Sequence, residues 1–141
     1  MLSKSILIIS DLHTPYHHID SLDFLAAIKK KYKPDTVVNI GDEMDWHSIA
    51  FHDSHPGLYS PSHELIIAKQ FFKSLEKLFP RQYIMDSNHG SLVFRKATRH
   101  GLPHEVFTSY NKMLGVGKGW TWHEDLILKA SNGQKIYFCH G

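Results

Sequence analysis

The chain has 141 residues, with 16 Lys+Arg against 14 Asp+Glu, a formal charge of +2 and 42% hydrophobic residues. A chain near this length buries roughly 70% of its unfolded surface, enough for one core and too little for two, and its near-neutral balance excludes a strongly basic or acidic tail while leaving local patches open. The longest apolar runs, such as Ile6 to Ile9, fall far short of the ~20 residues of a membrane span. No signal-peptide pattern follows Lys4, and the single Cys139 suits a reducing compartment, so a cytoplasmic protein without membrane contact is expected. The outlying count is histidine, at 12.

Ser5 to Ser10 is a β-branched, nearly continuous apolar run, the pattern of a strand buried on both faces of a parallel sheet, and it stops at Asp11. Asp20 is then placed to cap a helix whose seam is Leu22, Leu25, Ile28 and Tyr32; lysines fill its last turn and Pro34 ends it. Thr36 to Ile40 reads as a second buried strand, which makes residues 5–40 a βαβ unit. This strand stops at Gly41-Asp42. Residues 46–61 carry His, Ser, Pro and Gly without a period and read as a long surface loop. Ser60-Pro61 or Ser62 opens the strongest helix, seamed by Leu65, Ala68, Phe72, Leu75 and Phe79 and closed by Pro80.

Gln82 to Met85 reads as a third strand, ending in Asp86-Ser87-Asn88-His89-Gly90. Two short helical stretches follow, at about 91–100 and 104–114. Trp120 to Lys129 and Gln134 to Cys139 read as strands joined through Ser131-Asn132-Gly133, a hairpin signal.

Position carries the functional information. Asp11 and His13 follow the first strand, Asp42 the second, Asn88 and His89 the third, and His140 the last. In open α/β sheets the ligand crevice lies beyond the carboxyl ends of the strands, so these side chains are expected to converge. A carboxylate such as Asp42 can bridge two cations, with imidazoles and a carboxamide oxygen completing a mixed N/O shell that suits manganese, iron, zinc or nickel better than calcium. Two such ions hold a phosphate and activate a water, so phosphoester hydrolysis is the chemistry expected.

The motifs Asp11-Leu12-His13, Gly41-Asp42-Glu43-Met44-Asp45, Ser87-Asn88-His89-Gly90 and Cys139-His140-Gly141, taken together, resemble those of the calcineurin-like metallophosphoesterase family. The resemblance implies a layered α/β sandwich with a mainly parallel first sheet and a C-terminal β-hairpin. It also implies two divalent ions, manganese first: Asp11 and His13 on one, Asp42 bridging, Asn88 and His140 on the other. His89 would sit beside them to protonate the leaving group or stabilise the transition state, with Asp42 the other catalytic residue. Short relatives of this kind occur in bacteria and phages.

Two departures shape the expectation. The family usually has glycine before the Asn-His pair and an acidic residue after it, where this chain has Ser87 and Gly90. The lost acidic neighbour removes a group that could orient His89. The family also supplies a Gly-His-x-His motif downstream, whereas the sequence ends at Gly141. Residues 1–141 are therefore expected to be one phosphoesterase domain truncated at its last strands. Such a chain would be an N-terminal portion or a split half complemented by a C-terminal chain with the missing histidines. The rival expectation is a binding or scaffold protein that has lost turnover.

Several further residues carry weaker signals. Arg95 and His47 are candidate substrate-binding residues. Arg95, Lys96, Arg99 and His100 could steer a phosphorylated substrate, and His47, His52, His55 and His63 lie in or beside the long loop. Asp45 is either a support for the ligands or a turn former. Gly115 to Gly119 lacks phosphate-loop spacing and reads as a flexible loop. Trp46, Trp120 and Trp122 could stack on a base, but packing is the simpler role, and Cys139 is expected in the core. Whether the substrate is a nucleotide, a nucleic acid or a phosphoprotein stays open, because the chemistry-bearing residues recognise phosphate alone.

Overall fold

A computed structural model of the chain describes residues 4–141. Four strands, β1 (Ile6–Ile9), β2 (Thr36–Asn39), β3 (Gln82–Met85) and β4 (Trp120–His123), form one sheet in the order β1-β2-β3-β4. Every pairing in it is parallel. A second, antiparallel sheet is the hairpin β5 (Asp125–Lys129) and β6 (Lys135–Cys139). Its turn closes where Gly133, at φ +86°, donates its amide to the Ala130 carbonyl, a conformation that glycine reaches without strain.

Helices α1 (Ser21–Tyr32), α2 (Pro61–Leu78), α3 (Leu92–Arg99) and α4 (Tyr110–Leu114) complete the chain. The main core lies on one face of the parallel sheet, where Ile9, Val37, Ile84 and Trp120 meet Leu25 of α1, Phe72 and Leu75 of α2 and Leu114 of α4. On the other face Val38 and Met85 pack with Phe138 of the hairpin, joined by Leu126, Leu128 and Ile136. The layers are thus helices, parallel sheet, hairpin. None of the described helices is long and apolar enough to cross a membrane.

Local sequence explains most of these bounds. Pro61 occupies the first turn of α2, where its missing N–H costs nothing, and the Ser60 hydroxyl accepts from the His63 amide. Asp20 flanks α1 but its side chain caps nothing; instead Ser21 Oγ donates to the His18 carbonyl at 2.7 Å. Tyr32, expected in the α1 seam, is 59% exposed, and Ile8, expected to be buried on a doubly covered strand, is 53% exposed. A two-stranded hairpin is too narrow to cover a four-stranded sheet, and β1 lies at the sheet's edge.

The stretch 104–114 is not one helix. A 3-10 turn at His104–Val106 is followed by α4, which starts where Ser109 Oγ accepts from the Lys112 amide. The expected strand 120–129 also divides at Glu124, β4 belonging to the first sheet and β5 to the second. Cys139 is exposed, because alternation along β6 turns Phe138 inward.

Candidate metal centre

The loops after β1 and β2 continue the sheet's parallel course. Asp11 N donates to Gly41 O (3.2 Å), His13 N to Asp42 O (2.8 Å), Thr14 N to Glu43 O (3.0 Å), and Asp45 N returns to Thr14 O (3.0 Å). This ladder holds Asp11 and His13 against Asp42. Asp11, His13 and Asp42 all adopt left-handed φ values, +52°, +46° and +53°. That region is uncommon for residues with a Cβ, and it clusters at sites where side-chain direction matters more than local backbone energy.

Gly41, at φ +106°, has no room for a side chain. A Cβ there would lie 2.6 Å from Ser87 Cβ and 2.8 Å from His140 Nδ1, so its absence lets the β2, β3 and β6 termini close together.

Asp42 sits at the middle of the resulting group. Its Oδ2 lies 3.7 Å from His13 Nε2 and its Oδ1 3.5 Å from His140 Nε2, so the two carboxylate oxygens face different histidines. Asp11 Oδ1 is 3.7 Å from His13 Nε2. His13, Asp42 and His89 each offer a ligand atom within 4.8 Å of the others. Donors about 2.1 Å from one ion are roughly 3 to 3.4 Å apart, so the 3.5 and 3.7 Å pairs around Asp42 approach the spacing of a shared ion.

All three histidines are fastened in the same way. His13 Nδ1 is 2.8 Å from Asp45 Oδ1, His89 Nδ1 is 2.6 Å from the Asp45 carbonyl, and His140 Nδ1 is 2.8 Å from the Ile40 carbonyl. Each oxygen accepts, so each Nδ1 carries the hydrogen and each Nε2 keeps its lone pair, the arrangement metal-ligating imidazoles adopt. His140 Nε2 stands 2.7 Å from Asn88 Oδ1. With its oxygen turned to His140, Asn88 can share one cation with Nε2; with the amide turned over, its NH2 donates to Nε2. The donor set therefore fits divalent metal: carboxylate oxygens, neutral imidazole nitrogens and one amide oxygen around a largely buried carboxylate.

The departures from the family pattern find local partners. Ser87 Oγ accepts from the amides of Asp42 (2.8 Å) and Gly90 (3.1 Å), tying the third loop to the second. A Cβ at Gly90 would lie 3.0 Å from both carboxylate oxygens of Glu43, so Glu43 delivers an acidic group beside position 90. His89 keeps an orienting partner as well, since its ring is held by the Asp45 carbonyl and packs edge-on to His13 at 4.7 Å between centroids.

Glu43 was not singled out by the sequence. It is 1% exposed, accepts from Trp122 Nε1 at 3.1 Å, and leaves Oε2 without a partner. Burial pushes its carboxyl up to about 7, the Trp122 bond opposing and the Asp42 charge adding to the rise. No spacing rule marks it; it is an ordinary acidic residue between two others. Glu64, fully buried in α2, was also missed. It accepts from Tyr16 Oη and the Ser48 amide, fixing the long loop, and desolvation raises its carboxyl.

The other candidates take up distinct places. Asp45 touches both His13 and His89 and so supports the group rather than merely forming a turn. Arg95 donates from Nη2 to the Asn88 carbonyl at 2.5 Å, at the rim of the group. His47 stands behind Asp45, with Nδ1 3.9 Å from Asp45 Oδ2 and Nε2 accepting from the His55 amide. Trp46 and Trp120 are core residues, 3% and 1% exposed. Trp122 stacks on Tyr110 at 5.0 Å.

No curated protein matches the chain. A family model described as calcineurin-like phosphoesterase matches residues 4–141, spanning every loop that contributes to the group around Asp42. The chain belongs to the calcineurin-like phosphoesterase family, whose members are in general metal-dependent phosphoesterases.

Proposed function

We propose that this protein hydrolyses a phosphomonoester or phosphodiester at a two-ion centre, with Asp11, His13 and Asp42 holding one ion and Asp42, Asn88 and His140 the other, manganese being the preferred metal. The observation that carries this reading is the bidirectional Asp42 carboxylate, one oxygen facing His13 and the other His140. When bound, such ions neutralise the phosphate oxygens and acidify a water for attack. The chain's own residues supply the rest. Asp45 and the Ile40 carbonyl keep the imidazoles in one tautomer and one direction, so the pocket needs little rearrangement to bind.

His89, with Nδ1 held, presents Nε2 to the same space, where in its protonated form it can donate to the leaving-group oxygen. Arg95, anchored on the Asn88 carbonyl, offers a further positive charge to the phosphate. Manganese-stimulated cleavage of bis(p-nitrophenyl) phosphate, repeated with Asp42→Asn, tests the proposal. The substitution should lower kcat/KM at least about 100-fold, since a shared ligand is lost from both ions. Equal, metal-independent background in both proteins would point to a binding or scaffold role instead.

A further inference from the structure

Phe51 follows the 3-10 turn His47–Ile49 and is 50% exposed. Three cations from α3 surround it. Lys96 Nζ lies 4.4 Å from the ring centroid, and the guanidinium carbons of Arg99 and Arg95 lie at 4.2 and 5.8 Å. Ser87 to His104 contains no Asp or Glu, and every ion pair among the described residues has a histidine as its cation. Like charges are thus gathered on one ring, and among the described residues no carboxylate is in ion-pair contact with them.

Arg95 also belongs to two clefts that meet at Asn88, one lined by Phe51, His52 and His89 and the other by Ser91 and His140. Arg99 is one helical turn farther on, about 6 Å along the axis, so positive charge leads away from Asn88 as a track.

We propose that this surface binds single-stranded nucleic acid, with a base stacked on Phe51 and backbone phosphates on Arg95, Lys96 and Arg99. The proposal deepens the phosphoesterase reading and rests on it for the reacting phosphate. The ring and the track select the class together. A lone phosphate needs one cation and no aromatic platform, and a phosphoserine or phosphothreonine offers the charge but no flat π-face. A polynucleotide offers repeated phosphates and bases that stack regardless of sequence. Trp46 and Trp120 are buried in the core and Trp122 is stacked on Tyr110, whereas Phe51 is an exposed ring that lines a cleft with Asn88 and His89.

Fluorescence anisotropy with a labelled oligodeoxythymidylate of about 12 nucleotides tests this on the full chain in EDTA, so that binding is read without turnover. Phe51→Ala should weaken the Kd at least about fivefold, and Phe51→Trp, which keeps a stacking ring, should restore it. Lys96→Gln with Arg99→Gln should lower the slope of log K against log salt by about 1.4, roughly 0.7 per lost phosphate contact. The proposal is overturned if Phe51→Ala binds as tightly as wild type, if inorganic polyphosphate binds as tightly as the oligonucleotide, or if a phosphoserine peptide of equal charge binds better. Hydrolysis of the small chromogenic diester by wild type is read separately. Its absence removes the phosphoesterase reading, while the EDTA titration still decides nucleic-acid binding.

Discussion

Replacing Glu43 with glutamine should make the protein's stability less sensitive to alkaline pH. In the unfolded chain this carboxyl ionises near its ordinary 4.5, whereas burial holds it at about 7 in the folded state. The folded state therefore disfavours the carboxylate. Its favourable contribution is whole below pH 4.5 and declines as pH rises through 7, because the unfolded state releases the proton first. Between pH 5 and 8.5 the linkage relation gives a loss on the order of 2 to 3 kcal/mol, most of the cost of the shift.

Glutamine keeps an oxygen to accept from Trp122 Nε1 and brings no titration. Its amide group faces the place where Oε2 has no partner, a pH-independent offset. Urea unfolding of both proteins in EDTA at several pH values isolates the difference. The free-energy gap between Glu43→Gln and wild type should move in glutamine's favour by roughly 2 to 3 kcal/mol from pH 5 to 8.5. A gap that stays constant across that interval refutes the reasoning.

Other substitutions probe the remaining supports. Asp45→Asn replaces the oxygen that holds His13 Nδ1 with a weaker acceptor, and manganese affinity measured by calorimetry should fall about 10- to 100-fold while the melting temperature changes little. Gly41→Ala pushes a Cβ into Ser87 and His140 at a φ of +106°, so chemical denaturation should show a loss of at least about 2 kcal/mol. Phe72→Ala empties a fully buried ring position against Trp120, and the same measurement should register about 3 to 5 kcal/mol.

Strand ends were readable because each apolar run stops at a residue that cannot continue it, so Asp11, Asp42 and Asn88 stood out before any geometry was known. The Ser131-Asn132-Gly133 turn was equally local. What stayed hidden depends on contacts between distant segments. Whether residues 120–129 form one strand or two is decided by which sheet captures each half, and nothing near Glu124 announces that choice. Ser109 interrupts 104–114 through a single cap bond. Glu43 looks like any loop carboxylate until Trp122, 79 residues away, closes over it. Phe51 gave no signal because its exposure and its three cationic neighbours arise from the docking of α3.

The hairpin meets the rest of the molecule through a small apolar patch and through His140, whose ring is hydrogen-bonded to the Ile40 carbonyl. A two-stranded ribbon is marginal by itself in water. In the proposed centre, an ion held by Asp42 and His140 would clasp the ribbon to the parallel sheet, adding about 2.7 kcal/mol when free metal is 100-fold above its dissociation constant. Trace-element supply would then govern folding integrity as well as turnover: metal starvation would loosen the ribbon, and replenishment would latch it shut again.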